Sequence, residues 1–320
     1  MRVWHDLTQI DPSLGPSVVT IGNFDGVHLG HRHVIDRARG LAAERGGLPV
    51  VAITFDPHPM KVIRPDKAPQ PLTSVDARVA LLGEAGVDAV LVLNFTSALA
   101  DLAAEDFANH IVFEALHANA VVVGENFRFG HRALGDVEML TKLGSDRGVT
   151  VAGLPLDGTG GHAWSSTYIR RQIAAGQVAA AARALARPFA IRGVVVVGEQ
   201  RGRELGFPTA NVPVTTMRTA VPADGVYAGW LRRLDQAGAP YWPAAISVGT
   251  NPTFQGIDRL VEAYALDRTD LELYGVEVET LFVERLRRMV RFGSIDDLVA
   301  QMTDDVEKAR ALLVDRRLCS

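Results

Sequence analysis

Five short runs of apolar and β-branched residues dominate the first half of the chain: Ser17 to Ile21, Val50 to Phe55, Val87 to Phe95, Ala120 to Val123 and Val149 to Leu154. Their hydrophobicity is nearly continuous, as expected of strands covered on both faces. The stretches between them carry the helical period. His31 to Arg45 sets Val34, Ile35, Ala38, Leu41 and Ala42 on one stripe, Ser74 can cap a helix through Ala85, and Ala104 to His117 and Asp136 to Arg147 supply two more helices. Strand and helix in repeated alternation predict a Rossmann-like domain with a doubly wound parallel sheet.

The pattern changes at Arg187-Pro188. One or two helices fill the chain from Ser166 to Leu185. From Phe189 onward the strands are short and separated by turn-rich segments: Ala190 to Val197, Gly225 to Leu234, Ala244 to Val248, Val261 to Leu266 and Val276 to Val283. Asp235 to Gly238 reads as a hairpin loop. These features predict a small antiparallel β-barrel closed by a terminal helix from Ser294 to Leu313, with Ile295, Leu298, Val299, Met302 and Val306 as its apolar stripe. A length of 320 residues fits two domains, divided as 1–186 and 187–320.

Composition narrows the function classes. A net charge of -4 with scattered basic residues speaks against a nucleic-acid partner. The cluster Arg285, Arg287, Arg288 and Arg291 reads as a solvated face. Met1 to Ile10 does not resemble a signal peptide and no apolar run has membrane-spanning length, so no membrane partner is expected. The single cysteine, Cys319, allows no intrachain disulfide and no cysteine-based metal site, which fits the cytoplasm. The sequence leaves a homo-oligomer open.

Two strings carry chemistry. Gly22-Asn23-Phe24-Asp25-Gly26-Val27-His28-Leu29-Gly30-His31 leaves a buried strand and enters a helix, where an α/β sheet binds phosphate. Its glycines permit close approach of backbone to ligand, and His28 and His31, three apart, share one helix face and can both reach a triphosphate. The bland alternative is that the two histidines cap or pack. The second string, Gly198 to Asn211, is rich in glycine and polar groups without being a Walker motif. It could cradle phosphate or turn a corner, and Thr209 and Asn211 offer neutral oxygen ligands of the kind Mg²⁺ accepts.

The first string resembles the His-x-Gly-His signature of a nucleotidyltransferase superfamily, and its Phe-Asp-Gly prefix resembles the flavin adenylyltransferase branch. Gly-Arg-x-Leu-Gly-Phe-Pro-Thr-Ala-Asn, ending at Asn211, resembles the riboflavin kinase signature. With Thr54 to Pro59, Gly124 to Gly130, Ser165 to Arg170, Asp224 to Tyr227, Ser247 to Phe254 and Val261 to Tyr264 matching in order, nearly the whole chain resembles the bacterial bifunctional riboflavin kinase/FMN adenylyltransferase family. The resemblance implies a transferase that phosphorylates riboflavin to FMN and adenylylates FMN to FAD, with ATP, Mg²⁺, FMN and FAD as its small molecules.

It also implies roles. His28 and His31 would steady charge on the ATP phosphates, contacted also by Gly22, Phe24, Gly30, Ser166, Thr167 and Arg170. Asn23, Asp25, Asp56, His58, Asn126 and Arg128 would face the flavin, although Asp25 reads equally well as a structural turn residue and His58 as loop packing. In the second half Gly198, Gly202 and Arg203 would hold phosphate, Phe207 the flavin, Thr209 and Asn211 the metal, and Glu262 would act as base. Strand alternation places Glu262 and Tyr264 opposite Val261 and Ala263 without saying which face is wet. Two positions depart from the family pattern: Ala163 stands where an arginine is usual, and Met289-Val290 precedes Arg291-Phe292 where an acidic residue is common. Loss of a phosphate-contacting cation at 163 implies slower adenylyl transfer. The alternative readings are a kinase whose first half is impaired and a non-catalytic flavin or nucleotide sensor.

Overall fold

A computed structural model describes residues 1–155, 158–159, 162–198, 202, 205–214, 217, 219–253 and 256–314, in two compact units, Met1–Ser166 and Thr167–Ser320.

The first unit is built on a six-stranded parallel sheet. In chain order its elements are β1 (Arg2–Trp4), β2 (Ser17–Ile21), α1 (Leu29–Glu44), β3 (Val50–Asp56), α2 (Pro59–Ile63), α3 (Val75–Glu84), β4 (Ala89–Asn94), α4 (Ser97–Ala100), α5 (Ala104–Asp106), β5 (Ala118–Gly124), α6 (Val137–Ser145) and β6 (Thr150–Leu154). A two-residue hairpin, β7 (Gly158–Thr159) with β8 (His162–Ala163), follows. The strand order is β1-β4-β3-β2-β5-β6, so β2 sits at the centre between β3 and β5. Successive side chains serve opposite faces. Val19, Ile21, Val51 and Ile53 meet Ile111, Val112 and Leu140 on one side, while Val18, Val50 and Ala52 meet Ile35, Ala38 and Leu41 of α1 and Leu82 of α3 on the other. That two-sided cover is why the strand runs are continuously apolar. Fully buried Ile35 alone contributes roughly 1.5–3 kcal/mol by leaving water.

Two elements differ from the sequence reading. β1 has three residues, of which only Trp4 is buried, too short a run to show a period. The helix expected over Ala104 to His117 is α5 continued as a π-helix over Phe107–Ala115, closed by the Leu116 amide donating to the Ile111 carbonyl. The wider turns bring Phe107, Ile111, Val112 and Leu116 onto the sheet.

The second unit opens with α7 (Ser166–Ala174), whose first residue closes the first unit, and α8 (Val178–Leu185), which ends at Ala186 in the left-handed region. The turn after α7 is fastened within this unit: the Ala223 amide donates to the Ile173 carbonyl, and Arg285 donates to the carbonyls of Ala175 and Asp224. Six antiparallel strands follow: β9 (Phe189–Val194), β10 (Ala210–Pro213), β11 (Gly225–Arg233), β12 (Trp242–Thr253), β13 (Gly256–Ala265) and β14 (Glu277–Arg287), then α9 (Ile295–Val314). Their order is β10-β13-β12-β11-β14-β9, and a bridge between Val196 and Asn211 draws the two edges together into a near-barrel. Ile191, Val212, Ile246, Val261 and Phe282 fill the inside. Ala228, Trp230, Leu281 and Val283 face outward and meet Ala309 and Leu313 of α9.

Of the stripe read from the sequence of α9, Ile295 is 67 % exposed, while Leu298, Val299, Met302 and Val306 are half-buried, Val306 against the outer face of the sheet; the fully buried positions are Asp305, Ala309 and Leu313. Asp305 reaches the interface because Arg287 forks onto its carboxylate at 2.7–3.0 Å. The arginine cluster is corrected by the same contact: Arg288 and Arg291 are exposed, whereas Arg285 and Arg287 tie the end of β14 to its surroundings.

Candidate active sites

In the first unit the three predicted motif segments leave the carboxyl ends of β3, β2 and β5, which are adjacent in the sheet. This edge is where a doubly wound sheet opens its crevice. After β2 the chain turns sharply. Phe24, Gly26 and Val27 have φ of 47°, 84° and 40°. For phenylalanine and β-branched valine this conformation costs of order 1–3 kcal/mol each, held here by full burial of both side chains and by the Val27 amide donating to the Phe24 carbonyl. The turn delivers His28 to the N-cap of α1 and His31 to its first turn, their rings stacked with centroids 3.6 Å apart. A Cβ at Gly30 would lie 3.2 Å from both the His28 ring and the Trp164 carbonyl, so glycine lets these parts close up. Protonated imidazoles stacked so closely repel unless an anion lies against them. The start of α1 favours the same charge.

Asp25 is buried, at 1 % exposure, and its carboxylate accepts from the amides of Leu72 and Thr73 at 2.8–3.2 Å. Its carbonyl accepts from the Ser166 hydroxyl at 2.9 Å. Thr167 and Arg170 continue along α7, with Arg170 one turn beyond Ser166. Gly22 lies against the Phe24 ring, and Asn23 is exposed beside it. Asp56 is exposed at the end of β3, and His58 caps α2 by accepting from the Met60 amide. Asn126 and Arg128 are exposed on the turn after β5, beside the stacked rings of Phe127 and Phe129. Of Ala163 only the backbone, in β8, is described.

The sequence reading missed Arg78. It is 3 % exposed and donates from Nη1 to the Thr54 hydroxyl at 3.1 Å and to the Phe55 carbonyl at 2.9 Å. Burial pulls its pKa below the ordinary guanidinium value, and the charges of Asp25 and Asp56 oppose that pull. The available signal was its place on the stripe Val75, Arg78, Leu82 and Ala85, where a surface cation does not belong.

In the second unit Glu262 on β13 stands in register between Asn211 on β10 and Ser247 on β12. Side chains of registered partners share a face, so the three are neighbours. Val261 and Ala263 point inward and are buried. Glu262 and Tyr264 therefore lie on the outer face, which Tyr264 shares with the α9 cluster. Asn211 is 7 % exposed and turns its amide nitrogen to the Thr209 carbonyl at 3.1 Å and hydroxyl at 3.4 Å. Phe207 meets the Tyr264 ring edge-on at 5.4 Å. Gly198 lies directly against the Asn211 amide, and the Gly202 carbonyl accepts from the Phe207 amide at 2.7 Å. Arg203 falls outside the described residues. Met289 reaches Ser247 and Gly249, so the Met289-Val290 departure borders this site.

Buried Asn211 and half-buried Thr209 offer hard, neutral oxygens side by side, a donor set suited to Mg²⁺. Among the described residues no group of three His, Cys, Asp or Glu side chains gathers to hold an ion.

Two family models match successive parts of the chain. Residues 10–168 match the family model described as FAD synthetase, and residues 185–313 the one described as riboflavin kinase. The bifunctional riboflavin kinase/FMN adenylyltransferase of Escherichia coli (strain K12) is 38 % identical over 97 % of this chain and 96 % of its own. The protein of the same description from Pseudomonas fluorescens is 36 % identical over 98 % of each. Among solved structures, one described as a macrolide-efflux protein from Streptococcus pneumoniae superposes with a TM-score of 0.85 at 32 % identity, covering 96 % of this chain and 98 % of that one. Among the described residues no helix here is long and apolar enough to cross a membrane.

Proposed function

The chain belongs to the bifunctional riboflavin kinase/FMN adenylyltransferase family, and on that premise we propose which of its residues carry the two reactions. It is a transferase that phosphorylates riboflavin to FMN and adenylylates FMN to FAD with release of pyrophosphate. The observation that carries the residue assignment is that the predicted residues meet in space: His28 stacks on His31 in one unit, and Asn211 stands in register with Glu262 in the other.

In the kinase half Glu262 accepts the proton of the ribityl 5′-hydroxyl. That oxygen attacks the γ-phosphorus of ATP, and the bond to ADP breaks. Phe207 sides with the flavin, while Gly198, Gly202 and Arg203 line the phosphates. Thr209 and Asn211 would hold Mg²⁺, which when bound neutralises phosphate charge. In the adenylyltransferase half the FMN phosphate is itself the nucleophile. It attacks the α-phosphorus of ATP, pyrophosphate leaves, and no protein nucleophile is needed. His28 and His31 stabilise the charge that develops on the phosphates, and Gly22, Phe24, Gly30, Ser166, Thr167 and Arg170 are assigned to ATP from the family motifs they match. Asn23, Asp56, His58, Asn126 and Arg128 hold the flavin, and Asp25 contributes by fixing the turn to Leu72 and Thr73.

The catalytic division is placed at 1–186 and 187–320, although by contact α7 beyond Ser166 groups with the second unit. The working compartment is the cytoplasm. Chromatographic separation of riboflavin, FMN and FAD after adding riboflavin and MgATP tests the assignment on the wild-type chain. FMN rises and gives way to FAD if both sites work. Accumulation of FMN alone supports the kinase with an impaired first half, and binding without turnover supports the sensor.

A further inference from the structure

We infer that Arg78 is a positioning residue for adenylyl transfer, holding the Asn23 turn and the Asp56–His58 segment in register at the carboxyl edge of the sheet. One guanidinium nitrogen makes both links. Arg78 Nη1 donates to the Thr54 hydroxyl, which donates to the Asn23 carbonyl at 3.1 Å, and the same nitrogen donates to the carbonyl of Phe55, the residue before Asp56. The ends of β2 and β3 are thus tied to α3 by one side chain lying under both candidate flavin-contacting segments.

Packing alone does not account for an arginine here. The side chain is almost wholly removed from water, and its Nε has no hydrogen-bond partner among the described residues. The carboxylate of Asp25, whose charge acts on it, is itself hydrogen-bonded to Leu72 and Thr73. A buried cation so incompletely satisfied costs stability, and an apolar side chain of similar volume would fill the stripe with less strain on the fold. What an apolar residue cannot do is hold Thr54 and Phe55 from below. Such supports fix the geometry of groups that meet substrate, and an error of 1 Å in those groups costs about a hundredfold in rate.

The inference rests on the reading that Asn23 and His58 contact the flavin. In the full-length chain, FMN adenylylation is measured for Arg78→Met, Arg78→Lys, Thr54→Val and Leu82→Ala, with thermal unfolding and riboflavin phosphorylation followed in the same preparations. Arg78→Met is expected to raise the KM for FMN at least tenfold while phosphorylation stays within twofold. Arg78→Lys recovers most of the loss, and Thr54→Val adds less than twofold on top of Arg78→Met because both cut one relay. Leu82→Ala, from the same helix face, lowers the melting temperature and leaves the KM for FMN within twofold. An unchanged KM in Arg78→Met, or an equal rise in Leu82→Ala, overturns the inference. If Arg78→Met does not fold, Thr54→Val carries the test, and an unchanged KM there overturns it. Asn23→Ala and His58→Ala separate the two levels. If they raise the KM and the Arg78 and Thr54 variants do not, the inference alone fails; if none does, the flavin-site reading fails with it.

Discussion

An alanine at position 198 perturbs the kinase site through one methyl group. Its Cβ would lie 2.8 Å from Asn211 Cγ, 2.9 Å from Nδ2 and 3.0 Å from Oδ1, where ordinary contact begins at 3.4 Å. The Asn211 backbone cannot retreat, because it is paired to Glu262 on β13 and its carbonyl accepts from the Val196 amide at 2.8 Å. The amide therefore swings away by the missing 0.6 Å or so, breaking its hold on Thr209. At about two decades of rate per ångström of misplacement, that displacement lowers riboflavin phosphorylation roughly 16-fold, or about 1.6 kcal/mol in the transition state. Stability suffers less, since the yielding group is the end of a short side chain. A loss of about 1 kcal/mol moves the melting temperature by only about 2–4 °C. Initial rates of FMN formation from riboflavin and of FAD formation from supplied FMN, measured on Gly198→Ala and wild type, read the effect. A kinase rate within threefold of wild type, or an equal fall in adenylylation, refutes the reasoning.

Three further outcomes follow from the same geometry. Glu262→Gln lowers riboflavin phosphorylation by about 10²–10⁴-fold and leaves conversion of supplied FMN to FAD unchanged, as separate assays of the two steps will show. His28→Ala and His31→Ala each lower adenylylation by about 10²–10³-fold, and the double variant loses less than the product of the two because the stacked rings act together. Glu279 accepts from Arg192, Arg232 and Tyr241 at 2.5–2.8 Å; burial raises its pKa, but these partners outweigh it and hold the group below the usual glutamate value. A depressed carboxylate stabilises above its unfolded pKa, and that contribution is lost as pH falls through the folded value. Glu279→Gln should thus cost about 3 kcal/mol near neutrality, the low end for a buried pair because both arginines are partly exposed, and should flatten the acid limb of denaturant-measured stability.

The parts of the fold legible in the sequence are those governed by local period. Strands buried on both faces announce themselves as unbroken apolar runs, as at Val18 to Ile21, and α1 shows its stripe in Ile35, Ala38 and Leu41. What stayed hidden depends on pairing across the chain. Asp305 looks like a surface residue of α9 until Arg287 is seen to fork onto it, beside the Ala309 and Leu313 contacts that bury the same helix. β1 is a strand because β4 offers it a partner, not because three residues show a pattern. The site followed the same division. The adjacency of His28 and His31 is a matter of helical spacing, and the facing of Glu262 by Asn211 and Ser247 is a matter of register between strands far apart in sequence. Arg78 was readable as a cation on an apolar stripe, but its purpose lies in Thr54 and Phe55, which only the fold brings within its reach.

The central claim is that residues 1–186 carry adenylyl transfer and residues 187–320 carry phosphorylation of riboflavin. Mixing two full-length variants, His28→Ala and Glu262→Gln, with riboflavin and MgATP tests it most directly, with riboflavin, FMN and FAD separated over time. Alone, His28→Ala should stop at FMN and Glu262→Gln should leave riboflavin unconverted, while the mixture should make FAD as FMN from one chain reaches the other. If either variant loses both steps, or if Glu262→Gln phosphorylates riboflavin at the wild-type rate, the assignment of one reaction to each half of the chain is contradicted.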